Sequence, residues 1–131
     1  MVQNLSTEIN HGKPGYTGIK RVIKATGYSI QGLKAAFKHE AAVRQEFMLL
    51  VIFSPVALLL DVTTVEKILM IGVLVIVLIC ELLNSAIEAV VDRVGTDYHE
   101  LSGRAKDIGS ASVFVALTFA FCTWIGVLFF S

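Results

Sequence analysis

The sequence predicts an all-α membrane protein, with one amphipathic surface helix followed by three transmembrane helices. Three observations carry that expectation. Apolar residues make up 55 % of the chain and mean hydropathy is +0.72, which is too greasy for a soluble domain of 131 residues that must cover its surface with polar groups. The apolar residues gather into three long stretches, and the basic residues gather outside them. A basic amphipathic segment precedes the first stretch, as expected of a helix lying in a membrane interface.

At 131 residues the chain forms one domain at most. Residues 1–17 are polar, and Gly12, Lys13, Pro14 and Gly15 break any periodicity, so they read as a flexible tail. Residues 18–131 read as one membrane domain. Over 18–39, Ile19, Val22, Ile23, Ile30, Leu33 and Phe37 line one helical face, while Lys20, Arg21, Lys24, Lys34 and Lys38 line the other. Gly27 is a candidate break that would divide this segment into two short helices.

The first span is placed at about 41–60. Its apolar part, Phe47 to Leu60, falls short of the ~20 residues needed to cross hydrocarbon, so it borrows length from Ala41 to Glu46, with Arg44 reaching back to the interface. Pro55 is tolerable in a membrane helix when its freed carbonyl finds a partner. The second span is placed at about 68–91 and the third at about 108–130, with Trp124 as an interface anchor and Ser102 as a candidate N-cap. Ser112, Ala116 and Ala120 recur at every fourth position, a small-residue stripe suited to close helix packing within or between subunits. No apolar run precedes Phe47, so no cleavable signal peptide is expected.

Of the eleven Lys and Arg residues, only Lys67 lies between the first and second spans; the rest precede Phe47 or lie between the second and third spans. The positive-inside rule therefore puts the N-terminus in the cytoplasm and the C-terminus across the membrane. Formal net charge is zero, so nucleic acid is not an expected partner. Cys80 and Cys122 sit in apolar runs and read as packing residues. His11, His39 and His99 show no metal-ligand spacing.

The chemistry is expected on the second span. Glu81, Asn84, Glu88 and Asp92 follow one another at spacings of three, four and four, which places them on one helical face with Ser85 beside them. An ionisable group in hydrocarbon costs at least ~2.5 kcal/mol. A polar network that merely holds an assembly together has no need of two glutamates there. Glu88 lies near the cytoplasmic end and Glu81 is ~10 Å deeper, a layout suited to joining a soluble donor to a membrane-bound acceptor. Two weaker clusters flank the spans. Glu100 to Asp107, with Arg104 and Lys106, can hold phosphate or simply form a solvated basic flank. Glu40 and Arg44 have the spacing of an ordinary helical ion pair. No Walker A motif, protein-kinase loop or dinucleotide turn is present.

Together these runs resemble the bacterial diacylglycerol kinase family. The resemblance rests on Arg21 to Ser29, on Glu40-Ala41-Ala42 with Arg44-Gln45-Glu46, on Glu81-Leu82-Leu83-Asn84-Ser85-Ala86-Ile87-Glu88, and on Asp92 to Gly95 continuing through Tyr98 to Asp107. It implies a homotrimer of three-span subunits in the bacterial inner membrane, with active sites shared between subunits. The implied reaction moves the γ-phosphate of ATP, with Mg²⁺, to the hydroxyl of diacylglycerol. It further implies Glu81 as catalytic base and Glu40 and Glu88 as metal-binding carboxylates. Arg21, Tyr28, Glu40, Glu88, Asp97, Tyr98, His99, Lys106 and Asp107 are implied at the nucleotide, and Arg21, Glu46, Glu81, Asn84 and Ser110 at the lipid. Thr26 and Ile30 depart from the family's pattern, both in the surface helix.

Two other readings compete. A proton-coupled transporter explains the carboxylates but not the basic cluster ending in Lys106-Asp107. A non-catalytic assembly subunit explains buried polar contacts alone. Within the kinase reading, undecaprenol is the alternative acceptor.

Overall fold

The structure is a computed structural model, and it describes residues 17–131. Apart from Thr17, the polar segment expected as a tail lies outside the described residues. Four helices follow: α1 (Ile19–His39), α2 (Ala41–Leu59), α3 (Thr64–Val94) and α4 (Glu100–Phe130).

Helix α1 opens at Gly18, whose φ of 65° is a left-handed conformation that glycine adopts without a Cβ penalty. It then runs unbroken through Gly27, contrary to the candidate break. A single interior glycine costs a helix only about 1 kcal/mol, a small loss in a helix of 21 residues. The hydroxyls of Thr26 and Ser29 also donate back to the carbonyls of Val22 (2.8 Å) and Ala25 (3.0 Å), keeping the helix's polar groups occupied. None of its residues is buried, and Ile19, Val22, Ile23, Ile30, Leu33 and Phe37 remain exposed. That is the apolar face the sequence predicts.

The helices α2, α3 and α4 are each long and apolar enough to cross a membrane. Glu40, in extended backbone with φ −117° and ψ 109°, precedes α2. At the far end of α2, the Lys67 ammonium donates to the Leu58 carbonyl at 2.8 Å, which supplies a partner for one of the orphan carbonyls of a helix end. Helix α3 starts at a reciprocal cap. The Thr63 hydroxyl accepts from the Glu66 N–H at 3.2 Å, and the Glu66 carboxylate accepts from the Thr63 N–H at 2.8 Å.

Both α3 and α4 have 31 residues, which makes each ~46 Å long. The hydrocarbon core is only ~30 Å thick. The spans expected at 68–91 and 108–130 are therefore the membrane parts of longer helices. The surplus of α4 stands beside the loop 95–99, whereas that of α3 is divided between its two ends. The expected N-cap at Ser102 moves to His99, because the His99 Nδ1 accepts from the Leu101 N–H at 3.1 Å and lets the helix begin at Glu100.

Helix α3 packs against both α2 and α4. Val73 and Val77 of α3 meet Ala116 and Ala120 of α4, with Cys80 and Trp124 alongside. Two members of the small-residue stripe thus serve packing within the subunit. Trp124, expected as an interface anchor, is turned into the bundle. Its indole N–H donates to the Met70 carbonyl at 3.0 Å, and its ring meets Phe53 edge to face at 5.5 Å, which joins all three spans at one level.

Candidate functional site

The stripe predicted on α3 is the polar part of the bundle interior. Glu81, Asn84 and Ser85 are its buried polar residues, at 7, 8 and 7 % exposure. Glu88 is half-buried one turn further on, and Asp92 is exposed. The stripe is therefore graded from buried to open, as the helical spacing requires. The Asn84 amide Nδ2 donates to Glu88 Oε1 at 3.4 Å. Its other face, Oδ1, is buried without a partner, as is the Ser85 hydroxyl.

Carboxylates from two helices converge on this stripe. Glu46 of α2 interacts electrostatically with Glu81, and Glu81 also interacts with Glu40 and Glu88. The four acidic residues singled out in the sequence thus share one neighbourhood between α2 and α3. Among the described residues, no three of His, Cys, Asp and Glu come together as a self-sufficient metal cage. Mg²⁺ rarely needs one, since it is commonly held by one or two carboxylates together with phosphate oxygens and water. Glu40 and Glu88, each interacting with Glu81, are two carboxylates of the kind such a site uses.

The second cluster joins the stripe across the α3–α4 loop. Lys106 Nζ lies 2.7 Å from Asp92 Oδ1 and also interacts electrostatically with Glu88. Both partners are substantially exposed, so the pair contributes little to stability. Its effect is positional, holding one ammonium over the open end of the acidic stripe. Beside it is a cleft of about 560 Å³ lined by Asp97, Tyr98, His99, Ser102 and Lys106, among others. Four of the expected nucleotide contacts, Asp97, Tyr98, His99 and Lys106, therefore share one concavity.

Other expected site residues lie elsewhere. Asp107 lines an adjoining cleft with Tyr98, Glu100 and Arg104, and Arg104 pairs with Glu100 at 3.3 Å. Ser110 is exposed on α4. Arg21 is exposed and Tyr28 half-buried on α1. Two residues given no role by the sequence adjoin this cluster. Asp92 was visible on the stripe, but its pairing with Lys106 depends on how the loop folds α4 back. Gly109 is buried against Asn84, and a glycine inside an apolar helix carries no side-chain signal.

Comparison with known proteins follows the same lines. A family model described as prokaryotic diacylglycerol kinase matches residues 27–128. The chain is 55 % identical over 114 residues to a diacylglycerol kinase of Haemophilus influenzae, covering 87 % of this chain and 97 % of that one. It is 57 % identical over 114 residues to a diacylglycerol kinase of Pseudomonas aeruginosa, covering 87 % and 93 %. With a diacylglycerol kinase of Escherichia coli it shares 54 % identity over 108 residues, covering 82 % and 88 %.

Proposed function

The chain belongs to the prokaryotic diacylglycerol kinase family, and on that premise we propose that it transfers the γ-phosphate of MgATP to the free hydroxyl of diacylglycerol at the polar stripe of α3. The observation that carries this reading is that Glu40, Glu46 and Glu88 each interact with the buried Glu81, with Lys106 held over the open end of the stripe. Neither a proton carrier nor an assembly contact calls for that ammonium, and both competing readings fall with the family assignment.

Phosphoryl transfer depends on positioning and charge stabilisation more than on covalent catalysis. The ATP phosphates enter from the cleft lined by Asp97, Tyr98, His99 and Lys106. Lys106 offsets their charge. Glu40 and Glu88 would be the residues to hold Mg²⁺, which would supply Lewis-acid neutralisation of the transferring group. The lipid rises from the bilayer beside Glu46, Glu81 and Asn84. Its hydroxyl oxygen bonds to the γ-phosphorus while the bond from that phosphorus to the bridging oxygen of ADP breaks. The hydroxyl proton passes to the Glu81 carboxylate. The products are phosphatidate and ADP, and the reaction returns diacylglycerol to phospholipid metabolism. Arg21, Tyr28, Asp107 and Ser110 complete the proposed contacts, in an assembly of three copies that share each site.

The acceptor is tested by phosphorylation in mixed micelles with purified protein and MgATP. Diacylglycerol is expected to be phosphorylated well above undecaprenol under matched conditions. A preference for undecaprenol would keep the fold and the stripe and overturn the acceptor.

The asymmetry of Lys and Arg supports an inner-membrane topology with the N-terminus and the 95–99 loop in the cytoplasm and Ser131 in the periplasm. Single cysteines placed near each terminus, in a background lacking Cys80 and Cys122, report on it. An impermeant thiol reagent on intact cells is expected to label the C-terminal position alone. Labelling confined to the N-terminal position would reverse the orientation.

A further inference from the structure

We infer that Gly109 is a positioning residue for the kinase reaction, because its missing side chain leaves the space in which the Asn84 amide turns toward Glu88. The inference rests on the reading of Asn84 and Glu88 as part of the active site. It begins from a close approach of α3 and α4. Gly109 is buried, and a Cβ built on it would collide with Asn84 Oδ1, while Ile87 Cδ1, at 3.7 Å, would be in ordinary contact. No other glycine among the described residues places a Cβ in collision with anything. The constraint is therefore local to this one side chain.

Asn84 is itself over nine-tenths buried, and Oδ1 has no hydrogen-bond partner. An amide in that state loses free energy, because a buried acceptor has given up its water without replacement. It holds this orientation while its Nδ2 donates to Glu88. The backbone of Gly109 provides the room for Oδ1, so the pose requires a residue without a Cβ there. With any larger residue, the amide must swing away. The atom that would be struck is the end of a rotatable side chain, so the helices themselves need not separate. What is lost is the direction of the Asn84 donor, and with it the fixed orientation of the Glu88 carboxylate. Gly109 therefore acts on the reaction through Asn84 and touches no substrate itself.

The test is a double-mutant cycle with Gly109→Ala, Asn84→Ala and the pair, measured as kcat and KM for MgATP in mixed micelles with diacylglycerol, alongside thermal stability. Asn84→Ala is expected to lower kcat/KM by roughly 10- to 100-fold, the worth of a hydrogen bond to a charged group. Gly109→Ala is expected to give a similar loss with thermal stability retained, since alanine favours a helix interior over glycine. The decisive result is the pair. With no amide left to strike, Gly109→Ala should add nothing to Asn84→Ala. Additive losses would overturn the relay, as would near-normal turnover of Gly109→Ala beside an impaired Asn84→Ala; both leave the assigned active site standing. Normal turnover of Asn84→Ala would overturn the relay and remove Asn84 from the site as well. Should Gly109→Ala fail to fold, recovery of folding in the pair supports the collision, and failure of the pair to fold overturns it.

Discussion

Glu81→Gln is expected to lower turnover by ~10²–10⁴-fold, the usual worth of a positioned general base, while leaving assembly and MgATP binding largely intact. The side chain is 7 % exposed, so its environment is packed and a replacement of nearly the same size is needed to isolate the chemistry. Glutamine keeps the volume and a hydrogen-bonding end but cannot take the hydroxyl proton. The surroundings sharpen the expectation. Glu81 interacts with the carboxylates of Glu46, Glu40 and Glu88. Removing one negative charge from such a group relieves repulsion, so Glu81→Gln should be no less stable than the parent. A fall in activity then reports on the reaction and not on folding. A loose transition state places less demand on the base and draws the loss toward the lower bound. Near-normal turnover of correctly assembled Glu81→Gln, with diacylglycerol and MgATP saturating, would assign the proton transfer elsewhere, with Glu46 the next carboxylate to examine.

The elements easiest to read in the sequence were those written in periodicity. Glu81, Asn84 and Glu88 share a face because of helical spacing alone, and no neighbour can change that. The three spans were equally legible, because only continuous apolar runs can cross hydrocarbon. The family followed from the runs Glu81 to Glu88 and Tyr98 to Asp107, which are long, polar and ordered enough to be distinctive. Features decided between helices were not legible. Nothing along the chain says that Trp124 donates to Met70, or that Lys106 meets Asp92 and Glu88, because each contact depends on the rotation of one helix about another. Helix ends were read too conservatively for a related reason. Hydropathy marks where hydrocarbon stops, whereas α3 and α4 continue past it, sustained by the Thr63 cap and the His99 cap. The expected break at Gly27 overweighted one residue against the cooperative preference of its neighbours. Of the expected nucleotide contacts, Asp97, Tyr98, His99 and Lys106 gather at one cleft, and Asp107 lines an adjoining cleft that shares Tyr98 with the first.

Glu88→Gln is the complementary experiment, because it changes the charge and leaves the shape. The carboxylate is half-buried where the stripe opens, its Oε1 accepts from the Asn84 amide at 3.4 Å, and it interacts with both Glu81 and Lys106. It stands between the buried Glu81 and the ammonium of Lys106, the place where the proposed metal-bound phosphates would lie. Glutamine can still accept from Asn84, so the local packing should survive. What it removes is one of the two anionic oxygen donors, Glu40 and Glu88, proposed to hold Mg²⁺ with the phosphates. With one donor neutral, the metal must be held by Glu40 and the nucleotide alone. The Mg²⁺ concentration for half-maximal activity should therefore rise, MgATP should bind more weakly, and turnover at saturation should fall about 10²-fold or more, as expected where a metal contributes several kcal/mol of charge stabilisation. The three readouts together distinguish this role from that of Glu81, whose replacement should lower turnover while leaving the Mg²⁺ titration in place. An unchanged Mg²⁺ titration with normal turnover in Glu88→Gln would take Glu88 out of the metal site and leave the phosphates to Lys106 and the 95–99 loop.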